Sequence, residues 1–163
     1  VGQLDEVGWE RVESIDPSMS TIKLKLNDSH SRSHAIRLIL PPKWPSKPAV
    51  AHLEIPTHQG LTHEDNKGGS LPTILVRCKA RLDELNDFWT VSEDFDKWTC
   101  VLEPSCPSRT SIRRRIVVKR HCSLQLDLDP LRPRALCEIR FLGAESATGP
   151  LVARLNSGIA DWN

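Results

Sequence analysis

Five cysteines could supply nucleophilic or metal-binding chemistry, because a thiolate is both a strong nucleophile and a common zinc ligand. They are Cys78, Cys100, Cys106, Cys122 and Cys137. Their number is odd, none are spaced as C-x-x-C, and several occupy apolar positions of periodic segments. We therefore expect buried free thiols in a reducing compartment, with no disulfide framework and no metal site built on them.

Histidines are the second set of candidate metal ligands. His52, His58 and His63 lie in or beside a polar stretch that shows no helical or alternating pattern. Nothing in their spacing brings the imidazoles together on one side of an element, which a metal site requires. We expect solvated loop histidines and no metal.

A basic stretch could contact nucleic acid. It comprises residues 113–115, all arginine, followed by Lys119 and Arg120. On a strand, alternate side chains point to opposite faces, and no aromatic residues for base stacking are interleaved. Direct nucleic-acid binding is therefore not expected. It stays an alternative that a steep salt dependence of binding would support.

The first half of the chain reads as a helix end, a hairpin and a covering helix. Gly8 closes a helix that includes Leu4 and Val7. Residues 21–27 and 34–40 alternate apolar and polar, which predicts two paired strands. The loop 41–48 holds four prolines, and a short strand, 50–55, follows it. Apolar residues at helical spacing predict a helix over 70–89 with Ser70 as N-cap.

The second half repeats this order in outline. Trp98, Cys100 and Leu102 alternate with polar or smaller residues, which predicts a strand ending before Pro104. Further strands are predicted at residues 112–121, 122–129, 136–142 and 151–155. No apolar run approaches the roughly 18 to 20 residues that would span a bilayer, so no membrane contact is expected.

These elements predict an α+β fold of two lobes, each an antiparallel meander sheet covered by helix. We place the first lobe at residues 1–92 and the second at 93–163, and expect the second to be truncated before its last helix. Residues 1–96 hold 11 Lys and Arg against 15 Asp and Glu, whereas residues 97–163 hold 11 against 6. The second lobe is therefore positive, which favours an acidic partner.

The order of elements, with P-x-x-W-P-x-x-P after the hairpin (Pro41–Pro48), resembles ubiquitin-conjugating folds and their RWD relatives. An active conjugating enzyme needs a nucleophilic cysteine after this loop and an asparagine to stabilise the oxyanion. No cysteine and no His-Pro-Asn lie between Pro48 and Gly69, and Cys78 falls on the apolar face of the predicted helix. We expect no catalytic residues.

Several short motifs occur in one order along the chain, and their residue ranges are 8–9, 20–25, 87–89, 101–104, 114–116, 127–130, 141–144 and 150–151. Together they resemble the central double-RWD region of the FANCL family, the RING-type ubiquitin ligases of the Fanconi anaemia DNA-repair pathway. The resemblance covers nearly all 163 residues.

The resemblance implies a nuclear and cytoplasmic ligase in which this region docks the paired Fanconi anaemia substrate proteins without catalysing transfer itself. It also implies contacts with other core-complex subunits. A zinc-binding RING outside these residues would recruit the ubiquitin-conjugating enzyme, so no cofactor is expected here. The alternative function is a ubiquitin-binding or degenerate ubiquitin-conjugating-like module.

The family resemblance further implies an apolar substrate-binding patch on the second lobe. Carried onto this sequence, it gives Trp98, Cys100, Leu102, Phe141 and Leu142 as candidates. The family's vertebrate members have tryptophan at the position of Cys100. We expect Trp98 to replace it, because two residues along a strand preserve the face. Arg140 stands where an apolar residue is common in the family.

Overall fold

The chain contains two compact units, residues 1–87 and 88–163. The computed structural model describes residues 2–56 and 69–159. Each unit holds one four-stranded antiparallel sheet together with helices, which confirms the predicted α+β class. The boundary lies between Asp87 and Phe88, whereas the sequence prediction placed it after residue 92. Among the described residues, no helix has the length and apolar character that crossing a membrane requires.

The first unit is a meander with helices before and after it. Its elements, in chain order, are α1 (Gly2–Val7), a 3-10 turn (Trp9–Arg11), β1 (Val12–Ile15), β2 (Thr21–Asn27), β3 (Ser33–Ile39), β4 (Val50–Leu53) and α2 (Leu71–Glu84). The sheet order is β1-β2-β3-β4, with every pair antiparallel.

Alternation along β2 and β3 separates the two faces of this sheet. Ile22 and Leu24 of β2 are opposite Leu38 and Ile36 of β3, and all four are buried. The intervening residues of both strands face the other side and are largely exposed. The buried face, together with the apolar side of α2, forms the core of the unit.

Three local features fix the ends of the helices. Gly8 has φ 93° and its N–H donates to the carbonyl oxygen of Leu4, which confirms the predicted helix stop. Ser70 Oγ accepts from the Thr73 N–H at 3.4 Å, which confirms the predicted N-cap of α2. The side chain of Gln3 in α1 accepts from the Leu71 N–H at 2.9 Å, so α1 also caps α2.

A buried carboxylate organises the turn between β2 and β3. Asp28 Oδ1 accepts from the backbone N–H groups of His30 and Arg32, both at 2.9 Å. Asp28 Oδ2 lies 3.1 Å from His34 Nε2 and 3.5 Å from Arg32 Nη1. Asp28 and His34 are each 5% exposed, so these contacts compensate the removal of a charge from water.

Hydrogen bonds also connect this β2–β3 turn to the C-terminal end of α2. Asn86 Nδ2 donates to Ser29 Oγ at 2.7 Å and to Asp83 Oδ1 at 3.3 Å. Asn86 Oδ1 accepts from Arg32 Nη1 at 3.2 Å, and the Ser29 N–H donates to Asp83 Oδ1 at 2.8 Å. We call these residues and Asp28 the junction network.

The junction network coincides with a break in the helix predicted over 70–89, and that prediction was wrong. Two helices are present, α2 (Leu71–Glu84) and α3 (Asn86–Trp98), separated at Leu85. Leu85 has φ −93° and ψ 1°, and its N–H donates to the Leu82 carbonyl oxygen. The apolar stripe ran on through the break because Leu82, Leu85 and Trp89 are all buried.

The second unit repeats the meander. Its elements are α3 (Asn86–Trp98), whose first two residues precede the boundary, β5 (Val101–Glu103), β6 (Arg113–Lys119), β7 (Cys122–Asp127), β8 (Glu138–Gly143) and α4 (Glu145–Ile159). The sheet order is β5-β6-β7-β8, again antiparallel throughout. The three central predicted strands are confirmed in type, with shifted ends.

Two strand predictions in this unit were wrong. Trp98 ends α3 and lies outside β5, because Val91, Phe95 and Trp98 follow helical spacing and share a groove. Residues 151–155 belong to α4, where Leu151, Leu155 and Ile159 recur every four residues on one side. Both errors arose where short apolar patterns fit either period.

Replacing Asp28 with asparagine should lower the free energy of unfolding by about 2–4 kcal/mol, because His34 and Arg32 lose a charged acceptor. Burial raises the pKa of Asp28, but hydrogen bonds from His34, Arg32 and His30 outweigh it and hold the pKa below its ordinary value. The stabilisation is therefore complete above the unfolded pKa of about 3.9 and is lost as pH falls through the folded pKa.

Urea unfolding of the two proteins between neutral pH and about pH 3 measures this. The gap between native chain and D28N should narrow as the pH falls below about 4. The exposed Glu54 supplies the control, because E54Q removes a carboxylate without touching the network. A gap of constant size down to pH 3 would contradict the role given to Asp28.

Candidate protein-binding site

An exposed apolar patch lies on the second sheet, on the face opposite the helices. Val117 of β6 is opposite Ser123 of β7, and Ser123 is opposite Leu142 of β8, so these residues form one row across the sheet. Val117 and Leu142 line a shallow cavity of about 430 Å³, and Leu102 of β5 lines it as well. We call Leu102, Val117 and Leu142 the outer patch.

Alternation along β5 places Leu102 on this face, because the preceding Val101 is opposite the buried Ile116. Glu103 is opposite Arg115, so β5 has one more residue than β6 between these pairs and forms a bulge at Leu102. Leu102 is 44% exposed and Val117 is 42% exposed, while Leu142 is half-buried.

A glycine closes the end of the cavity beside Leu142. Gly143 lies opposite Cys122, with φ 154°, and a Cβ built there would be 2.6 Å from the His121 carbonyl oxygen. A side chain at this position would collide with backbone, so the β6–β7 turn can lie against β8 only when the residue is glycine. This turn carries Lys119 and Arg120, both exposed, which border the cavity.

The three arginines that begin β6 are each paired. Arg113 makes two hydrogen bonds to Asp127, at 2.6 and 2.7 Å, and these bonds hold the pKa of Asp127 below its ordinary value. Arg114 is buried and bonds to Asp96 at 2.7 and 3.1 Å. Arg115 bonds to Glu103 at 3.0 Å. This part of the basic stretch therefore offers little unpaired charge to a phosphate backbone.

A second apolar surface lies on the helix side of the same sheet. It is a groove of about 900 Å³, bordered by α3, α4, the sheet and the loop before β8. Trp98 lines it and is 74% exposed, with Lys97 Nζ 4.7 Å from the ring centroid. Leu124 and Ile139 form part of its floor.

The structure separates the five residues implied by the family resemblance. Leu102 and Leu142 belong to the outer patch. Trp98 lines the groove on the other side, and Phe141, opposite Leu124, faces that side too. Cys100 is exposed in the link between α3 and β5. The expectation that Trp98 and Leu102 share a strand face was therefore wrong.

Sequence reasoning did not place Val117, Lys119 and Arg120 beside Leu102 and Leu142, with which they line one cavity. Alternation from Arg113 through Arg115 already placed Val117 on the outer face. The irregular pairing between Val117 and Lys119 could not be read from alternation. Arg140, opposite Gln125, lies two residues from Leu142 on the same face and is exposed.

The described part of the chain contains no group of three or more His, Cys, Asp or Glu side chains able to hold a metal ion. His52 lies in β4. His58 and His63 fall outside the described residues.

The cysteines differ strongly in accessibility. Cys78 and Cys122 are buried free thiols, as expected, whereas Cys100 and Cys106 are exposed, so the expectation of burial was wrong for those two. Burial raises the pKa of Cys78 to about 11. Its thiol is therefore protonated near neutral pH and unreactive as a nucleophile.

Iodoacetamide should label Cys100 and Cys106 rapidly in the folded chain near neutral pH, because their sulfurs are reachable. Cys78 and Cys122 should react at least about a hundredfold more slowly, through transient opening alone. Mass spectrometry of peptides from timed samples measures each rate, and a denatured sample supplies the control. Fast labelling of Cys78 without denaturant would contradict the buried assignment.

Two four-stranded meanders with helices on one face of each sheet define a pair of ubiquitin-conjugating-like domains. Residues 1–85 match the family model described as FANCL UBC-like domain 2, and residues 87–163 match FANCL UBC-like domain 3. The chain belongs to the FANCL family.

Individual relatives agree with this assignment. The chain is 32% identical over 161 residues to the E3 ubiquitin-protein ligase FANCL of Mus musculus, covering 99% of this chain and 42% of the mouse protein. It also resembles a solved structure titled "Crystal Structure of FANCL", with a TM-score of 0.80 and 21% identity. That match covers 99% of this chain and 44% of the solved one, so the chain spans less than half the length of these relatives.

Proposed function

We propose that this pair of domains is the substrate-docking region of a RING-type E3 ubiquitin ligase and has no catalytic step of its own. The parent protein would attach single ubiquitins to the paired Fanconi anaemia clamp proteins during repair of DNA interstrand crosslinks. The observation that carries the proposal is the outer patch, an exposed apolar surface on a sheet of a FANCL-family domain. The mouse relative is named an E3 ubiquitin-protein ligase, which agrees with this role.

The composition of the outer patch suits a protein partner. Leu102 and Val117 provide exposed apolar area, and Lys119 and Arg120 at the border provide charge and donors. Protein interfaces combine an apolar centre with a polar rim in this way. The excess of cations in residues 97–163, 11 against 6, favours an acidic partner surface and faster encounter.

The absence of chemistry is supported by the surroundings of the thiols. A conjugating enzyme uses an accessible cysteine with an asparagine donor that stabilises the oxyanion. Cys78 is buried with its pKa raised to about 11. Cys100 and Cys106 are exposed, but the sequence from residue 88 to 155 contains no asparagine.

The remaining partners of the parent protein follow from the same proposal. A RING outside this chain would hold zinc and recruit the ubiquitin-conjugating enzyme, and other core-complex subunits would anchor the ligase. Because the substrates clamp on DNA, the parent ligase would act in the nucleus. It would also be present in the cytoplasm, where it is synthesised. None of these contacts requires a metal or cofactor within residues 1–163.

The affinity of this chain for the purified Fanconi anaemia substrate pair tests the docking surface. Variants on the two opposite sides of the second sheet can be compared directly. Leu102→Ala and Leu142→Ala should each weaken binding by about tenfold, because each removes apolar area from the interface centre. Trp98→Ala removes a larger side chain from the groove on the other side. It should leave the affinity within about twofold.

Calorimetry and thermal unfolding of each variant complete the comparison, since only folded variants are informative. If Trp98→Ala abolishes binding while the leucine variants bind normally, the groove is the docking surface and the outer patch is not. If all three bind like the native chain, the proposal that the second unit docks the substrate fails.

A thioester assay tests the alternative of a degenerate conjugating module. Incubation with ubiquitin, activating enzyme and ATP should give no adduct that a reducing agent cleaves, and Cys100→Ser should behave like the native chain. A reducible adduct lost in Cys100→Ser or Cys106→Ser would show transfer chemistry in these domains. Titration of labelled ubiquitin alone separates binding from transfer.

A further inference from the structure

The outer face of the first sheet carries a row of basic side chains. Lys23 of β2 is opposite Arg37 of β3, and Arg37 is opposite His52 of β4. Paired residues point to the same side, and their neighbours Ile22, Leu24, Ile36 and Leu38 are buried on the other. Lys23 and Arg37 are exposed. We call Lys23, Arg37 and His52 the basic row.

The opposition of Lys23 and Arg37 does not stabilise the sheet. Neighbouring strands lie about 4.8 Å apart, and like charges directly opposite each other destabilise a sheet. Within strands β1 to β4 the one carboxylate is Glu13. Its side chain lies 3.4 Å from the Nζ of Lys25, which is two residues along β2 from Lys23 and is not part of the basic row. A partner that supplied carboxylates would relieve the repulsion between Lys23 and Arg37.

The cations of the basic row are concentrated on one face of a unit that is not basic as a whole. Residues 1–87 hold 11 Lys and Arg against 12 Asp and Glu, so the unit as a whole is slightly acidic. Much of its acidic charge lies on the helices, as with Asp5 and Glu6 in α1 and Asp83 and Glu84 in α2. The outer sheet face is thus a local positive surface on a nearly neutral unit.

An apolar row borders the basic row. Thr21 is opposite Ile39, and Ile39 is opposite Val50, two residues along each strand from the cations. Two residues along a strand correspond to about 6.7 Å. Ile39 is 38% exposed. The surface therefore offers cations and an apolar strip at a spacing that an extended peptide reproduces with residues i and i+2.

We propose that this outer face docks an extended acidic segment of another protein, with carboxylates on Lys23 and Arg37 and an apolar side chain on Ile39. The inference concerns the first unit and does not rest on the function proposed for the second. Nucleic acid fits less well, because strands β1 to β4 contain no Phe, Tyr or Trp for base stacking, and a phosphate backbone has no apolar group to place on Ile39.

A labelled peptide that repeats Glu-Ser-Leu-Ser tests the proposal, because its facing residues alternate between acid and apolar. NMR shifts of amides should change on β2, β3 and β4. The double variant Lys23→Gln with Arg37→Gln should weaken binding by about tenfold. Lys43→Gln with Lys47→Gln removes the same charge from the proline-rich loop and should change affinity by less than about twofold.

Four results would overturn the proposal. The first is no shift on these strands at millimolar peptide, and the second is equal weakening by the two double variants. The third is equal binding of a peptide repeating Gln-Ser-Leu-Ser. Displacement of the acidic peptide by duplex DNA, with shifts on the same strands, would instead assign the face to nucleic acid. Unchanged or higher thermal midpoints of Lys23→Gln with Arg37→Gln confirm that a loss of binding is not a loss of folding.

Discussion

The division of each sheet into a buried face and a free face is the constraint on which the other features depend. Successive residues of a strand point to opposite sides, so a meander packed under helices commits half its side chains to the core. In the first unit, Ile22, Leu24, Ile36 and Leu38 are at most 1% exposed. The alternate residues of β2 and β3 point away from the core, so core packing does not restrict their type. Both proposed docking surfaces consist of residues on such outer faces.

The junction network shows how the fold accommodates a charge inside this packing. A carboxylate at 5% exposure is stable only with several donors, and Asp28 obtains them from the turn backbone, His34 and Arg32. Arg32 then bonds to Asn86, where α2 has ended and α3 begins. The break in the helix and the turn of the hairpin are therefore held by one set of hydrogen bonds within the first unit.

Strands with unbroken alternation, such as Thr21–Asn27 and Cys122–Asp127, could be predicted from the sequence because the period of two leaves one reading. Trp98 could not, because it continues the helical spacing of Val91 and Phe95 and also alternates with Cys100 and Leu102. The candidate site was even harder to predict from the sequence. The outer patch joins Leu102 of β5, Val117 of β6 and Leu142 of β8, and the pairing that brings these strands side by side is set by tertiary hydrogen bonds that no local pattern encodes.

The small size of the outer patch limits what it can do alone. A stable interface buries about 800 Å² on each partner with 20 to 30 residues, and the leucine and valine side chains of this patch supply a fraction of that. Docking through it is consequently weak unless a second contact adds to it, since linked sites multiply affinity without any new strong contact. The proposed docking role therefore requires further contacts that act together with the outer patch.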